Sequence, residues 1–386
     1  MSELEEILKL HALHTGVLDI KSDLDVTNRQ ELAQAYTPGV SMLSKQIEAH
    51  PELKDKYTMS GKLVALITDG TAVLGLGNIG PAAGLPVIEG KALLYKDLAD
   101  INAIPIALNQ VDIAQAVATI KNISLSFAGI HLEDIAAPRC FEIEEQLSNS
   151  LEIPVYHDDQ EGTAIVVLAG LINAAKVVHK NLQDLHIVIN GVGASGFATA
   201  RLLYQIGIKH LVLVDKQGVI TADDTHYNEY QRNLARKLQT PVALKNQPLA
   251  AVIAHQDVFI GLSDKNVLQA QDVQKMNSQP IIFALANPIP EIDPQIAQQA
   301  GAAVIATGSS KYPNQVNNIL AFPGLFKGLL DSSITKVDAG LQKVVAQALA
   351  QIVTQPTTQK IIPDVFDKQV VATVSQAVQD YSQQQK

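Results

Sequence analysis

The chain has 386 residues, 47% hydrophobic and 18% charged, which predicts a folded protein of two domains and excludes a disordered one. Its formal charge of −10 at pH 7 excludes the broad basic face that a nucleic-acid binder needs. A single cysteine, Cys140, excludes an internal disulfide and a multi-cysteine zinc site, and fits a reducing cytoplasm.

The opening MSELEEILKLHALH predicts an amphipathic helix with a Ser2–Glu5 capping box and has no secretory signal pattern. Strands are predicted at 62–70, 105–109, 126–134 and 153–159, with helices near 112–121 and 138–147. This alternation predicts an α/β fold with mainly parallel sheets. Three of the strands end in acids: Asp69, Glu133-Asp134 and Asp158-Asp159. In an open parallel sheet the carboxyl ends of the strands line the ligand crevice, so these acids are expected to converge.

A helix over 163–179 follows; Asn173 and Lys176 interrupt it and it is too short to span a bilayer. The chain therefore divides into an N-terminal catalytic and metal-binding unit, 1–160, and a dinucleotide-binding unit of Rossmann type with C-terminal helices, 161–386. In the second unit Gly191-Val192-Gly193-Ala194-Ser195-Gly196 follows the apolar run Ile187–Ile189 and precedes a helix, and Asp215 closes the next strand. That context makes the glycine pattern a dinucleotide site. Gly191 allows the turn, Gly193 lets the backbone approach the pyrophosphate, and Gly196 lets helix and strand pack closely. The helix start at Ala194 and Ser195 offers free N–H groups to the phosphates. Asp215 favours the ribose hydroxyls of NAD over NADP, while Lys216 partly offsets that preference. Further strands are predicted at 257–263, 280–288 and 302–308, helices at 333–353 and 363–382, and a frayed tail at SQQQK.

Two more pieces complete the chemistry: Tyr36 in AYTPGV and Lys91 in VIEGKALLYK. Singly, a tyrosine beside Pro-Gly reads as packing, a Gly-Lys pair as an exposed turn, and adjacent acids as a solvated loop. Together with a dinucleotide fold they read as a site. Carboxylate-only ligands suit a hard cation, Mg²⁺ or Mn²⁺.

From Gly16 to at least Gly324 the chain resembles the short bacterial malic enzymes. YTPGV, TDGTAVLGLGNIGP, EGKALLYK, LEDIAAP, HDDQEGTA, GVGASG, ALANPIPE and NQVNNILAFPG occur in that family's order. The resemblance implies that Glu133, Asp134 and Asp159 bind the divalent cation, with Asp158 beside Lys91. It implies that Tyr36 and Lys91 form an acid–base pair and that Asn287 and Asn318 contact the substrate, with Asn317 nearby and Asn287 also against the cofactor. The implied reaction converts L-malate to pyruvate and CO₂ with reduction of NAD. Lys91, its pKa lowered by the cation and by partial burial, takes the C2 hydroxyl proton, and Tyr36 protonates C3. A cytoplasmic homodimer is the expected assembly.

Longer members of that family carry an arginine where this chain has Ala72, so the group that grips the C4 carboxylate is open, Arg139 being one candidate. Malolactic conversion of malate to lactate with bound NAD would use the same residues. A catalytically silent nucleotide-binding regulator would have no use for the acid–base pair. A dehydrogenase without metal would leave the carboxylate cluster unexplained.

Overall fold

The computed structural model describes residues 2–13, 15–73, 75–332 and 334–385. Met1, His14, Leu74, Ser333 and Lys386, which fall in the opening segment, the DGTAVLGLG turn, the 333–353 helix and the tail, lie outside the described residues.

The first sheet is built from β1 (Leu63–Thr68), β2 (Asn102–Ala107), β3 (Gly129–Glu133) and β4 (Val155–His157), all parallel, in the order β2-β1-β3-β4. β1 and β3 are buried along their whole length, as strands covered on both faces must be. β2 lies at the edge and starts at Asn102, earlier than the sequence suggested. An edge strand tolerates Pro105, whose missing N–H weakens no second ladder. Because all four strands are parallel, their acid-bearing ends lie along one edge of the sheet.

The second sheet comprises β5 (Ile187–Asn190), β6 (Leu211–Asp215), β7 (Gly218–Val219), β8 (Val258–Gly261), β9 (Ile281–Ala284) and β10 (Val304–Thr307). Its order is β10-β9-β8-β5-β6-β7, with only β7 antiparallel. The strand order reverses beside β5, between β6 and β8, which puts the ligand crevice beyond the carboxyl ends of these strands.

The helix Pro81–Ala99 carries Lys91 in its interior, not at the start of an element as the Gly-Lys pair suggested. Pro81 opens it, and a stripe of Ile88, Ala92, Tyr95 and Ala99 is buried against the first sheet. The helix Thr163–Val177 is buried over most of its length, and Asn173 is satisfied by the Ala350 and Ile361 carbonyls at 2.8 and 2.9 Å. The 12-residue helix Ala194–Gln205 follows the glycine turn.

The C-terminal helices return to the first sheet. Phe322 and Phe326 of the helix Phe322–Leu330 pack edge-on against Tyr95, and Phe326 meets Tyr156 in the same way. The last two helices, Ala339–Ile352 and Gln369–Gln384, start later than predicted. Asp338 caps the first by accepting from Leu341 N, while Asp364 and Asp367 hold the residues ahead of the second in turns. Among the described residues no helix is long and apolar enough to cross a membrane.

The amino-terminal arm stands apart. Its helices Glu3–Ala12, Arg29–Ala35 and Gly39–Ala49 bury no residue, although the first has the expected Ser2–Glu5 capping box.

Candidate active site

The parallel first sheet brings Glu133, Asp134 and Asp159 together. One carboxylate oxygen from each lies within 4.8 Å of the others, a spacing that suits a shared cation. Asp134 adopts a left-handed backbone with φ of 54°, and its N–H donates to Asp159 Oδ2 at 3.0 Å. Burial, followed by the charge of Glu133, raises the Asp159 pKa to about 6. Burial raises that of Glu133 to about 7 against the pull of Lys91. Such oxygens are poorly solvated acceptors, and a divalent cation would relieve their repulsion.

Lys91 Nζ donates to Glu133 Oε2 at 2.6 Å and to Asp158 Oδ2, and it lies 5.3 Å from the Phe322 ring centroid. Burial alone would lower the amine pKa, but Asp158, Glu133 and Asp159 outweigh it and hold the amine above the ordinary lysine range. With three carboxylates around it and no cation between them, the ammonium is the favoured form; the expected lowering belongs to the cation-bound site. The same ammonium holds Asp158 below the usual carboxylate range, although burial acts the other way.

Sequence reasoning missed the layer beneath these groups. Tyr95 Oη lies 2.7 Å from His131 Nδ1, and His131 Nε2 lies 2.8 Å from Glu133 Oε2. Burial depresses the His131 pKa to about 3, so the ring is neutral. The arrangement that satisfies every atom has Tyr95 donating to His131 and His131 donating to Glu133. Tyr156 donates to Asp158 Oδ1. The signals were present: Tyr95 lies four residues after Lys91 on one helix, and His131 shares a strand face with Glu133. Gly162 has its reason here too, since a Cβ would overlap Asp158 Oδ1 and the Tyr156 hydroxyl.

Asp69, expected among the converging acids, is not one of the three clustered carboxylates. Its Oδ2 accepts from Arg139 Nε at 3.0 Å and its Oδ1 from the Thr71 hydroxyl at 2.5 Å. Among the described residues Arg139 Nη2 is buried without a hydrogen-bond partner. Tyr36 ends the helix Arg29–Ala35, is 66% exposed, and among the described residues makes no hydrogen bond to Lys91 or its carboxylates.

A cleft of about 930 Å³ opens at the reversal of strand order, lined by Gly191, Gly193, Asp215, Ser263 and Asn287, and by Gly75 from the first lobe. Gly191 has φ of 94°, and a Cβ there would overlap the Leu262 carbonyl. Gly193 faces open space, with no atom within 4 Å of a Cβ, which fits close approach by a phosphate. A Cβ on Gly196 would collide with the Gly191 carbonyl, so its role is packing. Ala194 and Ser195 open the helix half-buried. Asp215 already accepts from Val192 N at 3.0 Å and Lys216 N at 2.7 Å. Its carboxylate sits beside the glycine turn with lone pairs to spare for ribose hydroxyls.

Asn318 begins a short turn, Asn318–Leu320, that packs against the Asp158–Gly162 turn. Asn317 caps it, accepting from Ile319 N at 3.0 Å, so its side-chain oxygen has a structural task.

The family profile of the malic enzyme NAD-binding domain matches residues 160–383, and that of the malic enzyme N-terminal domain matches 20–112. An NAD-dependent malic enzyme of Geobacillus stearothermophilus is 46% identical over 365 residues, 94% of this chain and 76% of that protein. A bifunctional malic/malolactic enzyme of Bacillus subtilis is 46% identical over 380 residues, 98% of this chain and 92% of that protein. The crystal structure of an NAD-dependent malic enzyme from Thermotoga maritima matches with a TM-score of 0.92 at 41% identity, covering 98% of this chain and 99% of that one.

Proposed function

The chain belongs to the malic enzyme family, and from that premise we propose that it converts L-malate to pyruvate and CO₂ with reduction of NAD. One observation carries the reading at this site: the Lys91 ammonium is held by Glu133 and Asp158 beside three convergent carboxylates. The malate C2 hydroxyl would be presented to Lys91 Nζ, which would release one proton to solvent as cation and substrate bind and then take the hydroxyl proton. Asp158 and Glu133 aim that nitrogen. Arg139, with its buried Nη2, is the cation offered to the second carboxylate of malate. Asn287 and Asn318 orient the substrate, and the Gly191–Gly196 turn with Asp215 binds NAD.

Glu133, Asp134 and Asp159 fit a hard divalent cation, Mn²⁺ or Mg²⁺, and would hold it. Such an ion would supply polarisation of the C2 oxygen and would offset the carboxylate field on Lys91, and bound NAD would be the hydride acceptor. Tyr36 supplies the proton to C3, although among the described residues it makes no hydrogen bond to Lys91 or its carboxylates. A homodimer accounts for this and for the exposed Leu4, Leu8, Leu32 and Met42 on the amino-terminal arm. A second subunit would cover the arm and receive Tyr36.

The test is the initial rate of NADH formation with malate, NAD and Mn²⁺, followed by chelation and re-addition. Metal-dependent NADH is expected, and Mn²⁺ should raise the melting temperature of the free protein. The bifunctional Bacillus relative favours one second reading, malolactic conversion on the same residues. Lactate accumulating without NADH would select it. No turnover and no binding of either ligand would leave neither reading standing.

A further inference from the structure

Glu291 has no part in the chemistry above, yet it is fully buried just behind the cofactor cleft. It follows β9 in the stretch NPIPE. Its Oε1 accepts from the Ser263 backbone N–H at 3.1 Å and its Oε2 from the Ala286 N–H at 3.0 Å. Ser263 belongs to the loop after β8, and Ala286 to the loop after β9. Both residues line the cleft, while Glu291 itself does not.

Three further contacts make this a built clamp. The Glu291 carbonyl accepts from Leu268 N at 3.0 Å, and the Pro290 carbonyl accepts from Asn266 N at 3.1 Å, which fixes the clamp's own loop. Gly261, the last residue of β8, leaves room for the carboxyl group, because a Cβ there would overlap it. Asn190, at the end of β5, donates to Ser263 Oγ at 2.7 Å and joins the clamped loop to the strand before the glycine turn. Among the described residues no lysine or arginine pairs with this carboxylate. Two backbone N–H groups are its principal partners, and through them the carboxylate ties the cleft-facing ends of two loops whose farther parts are already joined by the Asn266–Pro290 and Leu268–Glu291 backbone bonds.

We infer that Glu291 is a positioning residue for the dinucleotide. By drawing the β8 and β9 loops onto one carboxylate it sets the cleft wall on the side away from Asp215, where the nicotinamide half lies. It also fixes the backbone next to Asn287, whose carbonyl faces Gly75 of the first lobe so closely that a Cβ there would stand only 2.8 Å from it. The inference rests on the NAD reading of this cleft.

Two variants test it from opposite sides. Glu291→Gln replaces one acceptor with an NH₂ that faces an N–H donor. Gly261→Ala removes no polar group but displaces the carboxyl from behind. Each is compared with the wild type by NADH-fluorescence titration without malate or metal, by KM for NAD and for malate, and by thermal melting. Both variants should weaken NADH binding and raise KM for NAD by about tenfold, with KM for malate unchanged within about twofold. Wild-type affinity for NADH in both, or a matching rise in the two KM values, would overturn the inference. A wild type that fails to bind NADH would instead overturn the cofactor reading. If Glu291→Gln does not fold, Gly261→Ala decides. If neither folds, Glu291 is a residue of the core and the positioning role is withdrawn.

Discussion

Lys91 is both a reactant and the cation that makes Asp158 tolerable in the interior. Its side chain is 13% exposed, and that of Asp158 is fully buried. Lys91→Ala should therefore have two effects. The rate should fall by roughly 10²–10⁴-fold, the usual value of a proton-transfer group. Stability without metal should fall by about 3–5 kcal/mol, because the variant leaves a buried carboxylate without its partner. The resemblance implied Asp158 beside Lys91; the second partner, Glu133, came from the structure. Stopped assays and denaturant melts, each with and without Mn²⁺, separate the two effects. A variant with wild-type stability in chelator would remove Lys91 from the network.

At the scale of elements, function depends on how short turns are tied down. In the Asn317–Leu320 turn, two adjacent asparagines have different work. Asn317→Ala should lower stability by about 0.5–2 kcal/mol through the lost cap, whereas Asn318→Ala should leave the melting temperature unchanged and raise KM for malate. The reverse pattern would exchange their roles. Asp257, just before β8, ties β5 and β8 to the end of the helix Thr163–Val177. It accepts from Lys180 Nζ at 2.7 Å, His186 N at 2.9 Å and Asn277 Nδ2 at 3.0 Å. Burial would raise its pKa, but these donors together hold it below the ordinary aspartate value. Its contribution to stability is thus complete above pH ~4 and is lost as pH falls through the lower folded-state value. Asp257→Asn should cost about 1–3 kcal/mol at pH 7 and progressively less at pH 3. Urea midpoints for both proteins at the two pH values measure the difference.

For the whole molecule, the amino-terminal arm is the part that packs least against the rest of its own chain. It carries Tyr36 and a set of exposed apolar side chains, and none of its three longer helices has a buried residue. If Tyr36 serves the other subunit's site, mixed dimers of Tyr36→Phe and Lys91→Ala chains will contain one intact site and regain activity that neither parent has. Co-expression followed by the NADH assay reads this directly. No recovery in verified mixed dimers would return Tyr36 to its own chain or remove it from the reaction.

Much was legible before any coordinates. The glycine turn with its flanking strand and helix, the acids at strand ends and the capping box at Ser2 are local patterns, and local geometry dictates them. Element ends were less legible, as at the strand β2 and at the helix beginning at Ala339, because pairing partners and turn hydrogen bonds decide where an element starts and stops. Three matters were left to tertiary structure alone. Asp69 paired with Arg139, Lys91 took Glu133 as a second partner, and Glu291 emerged as a tie between two loops. Each depends on which charges and N–H groups meet in an interior without water, and that is set by the packing of segments far apart in the chain.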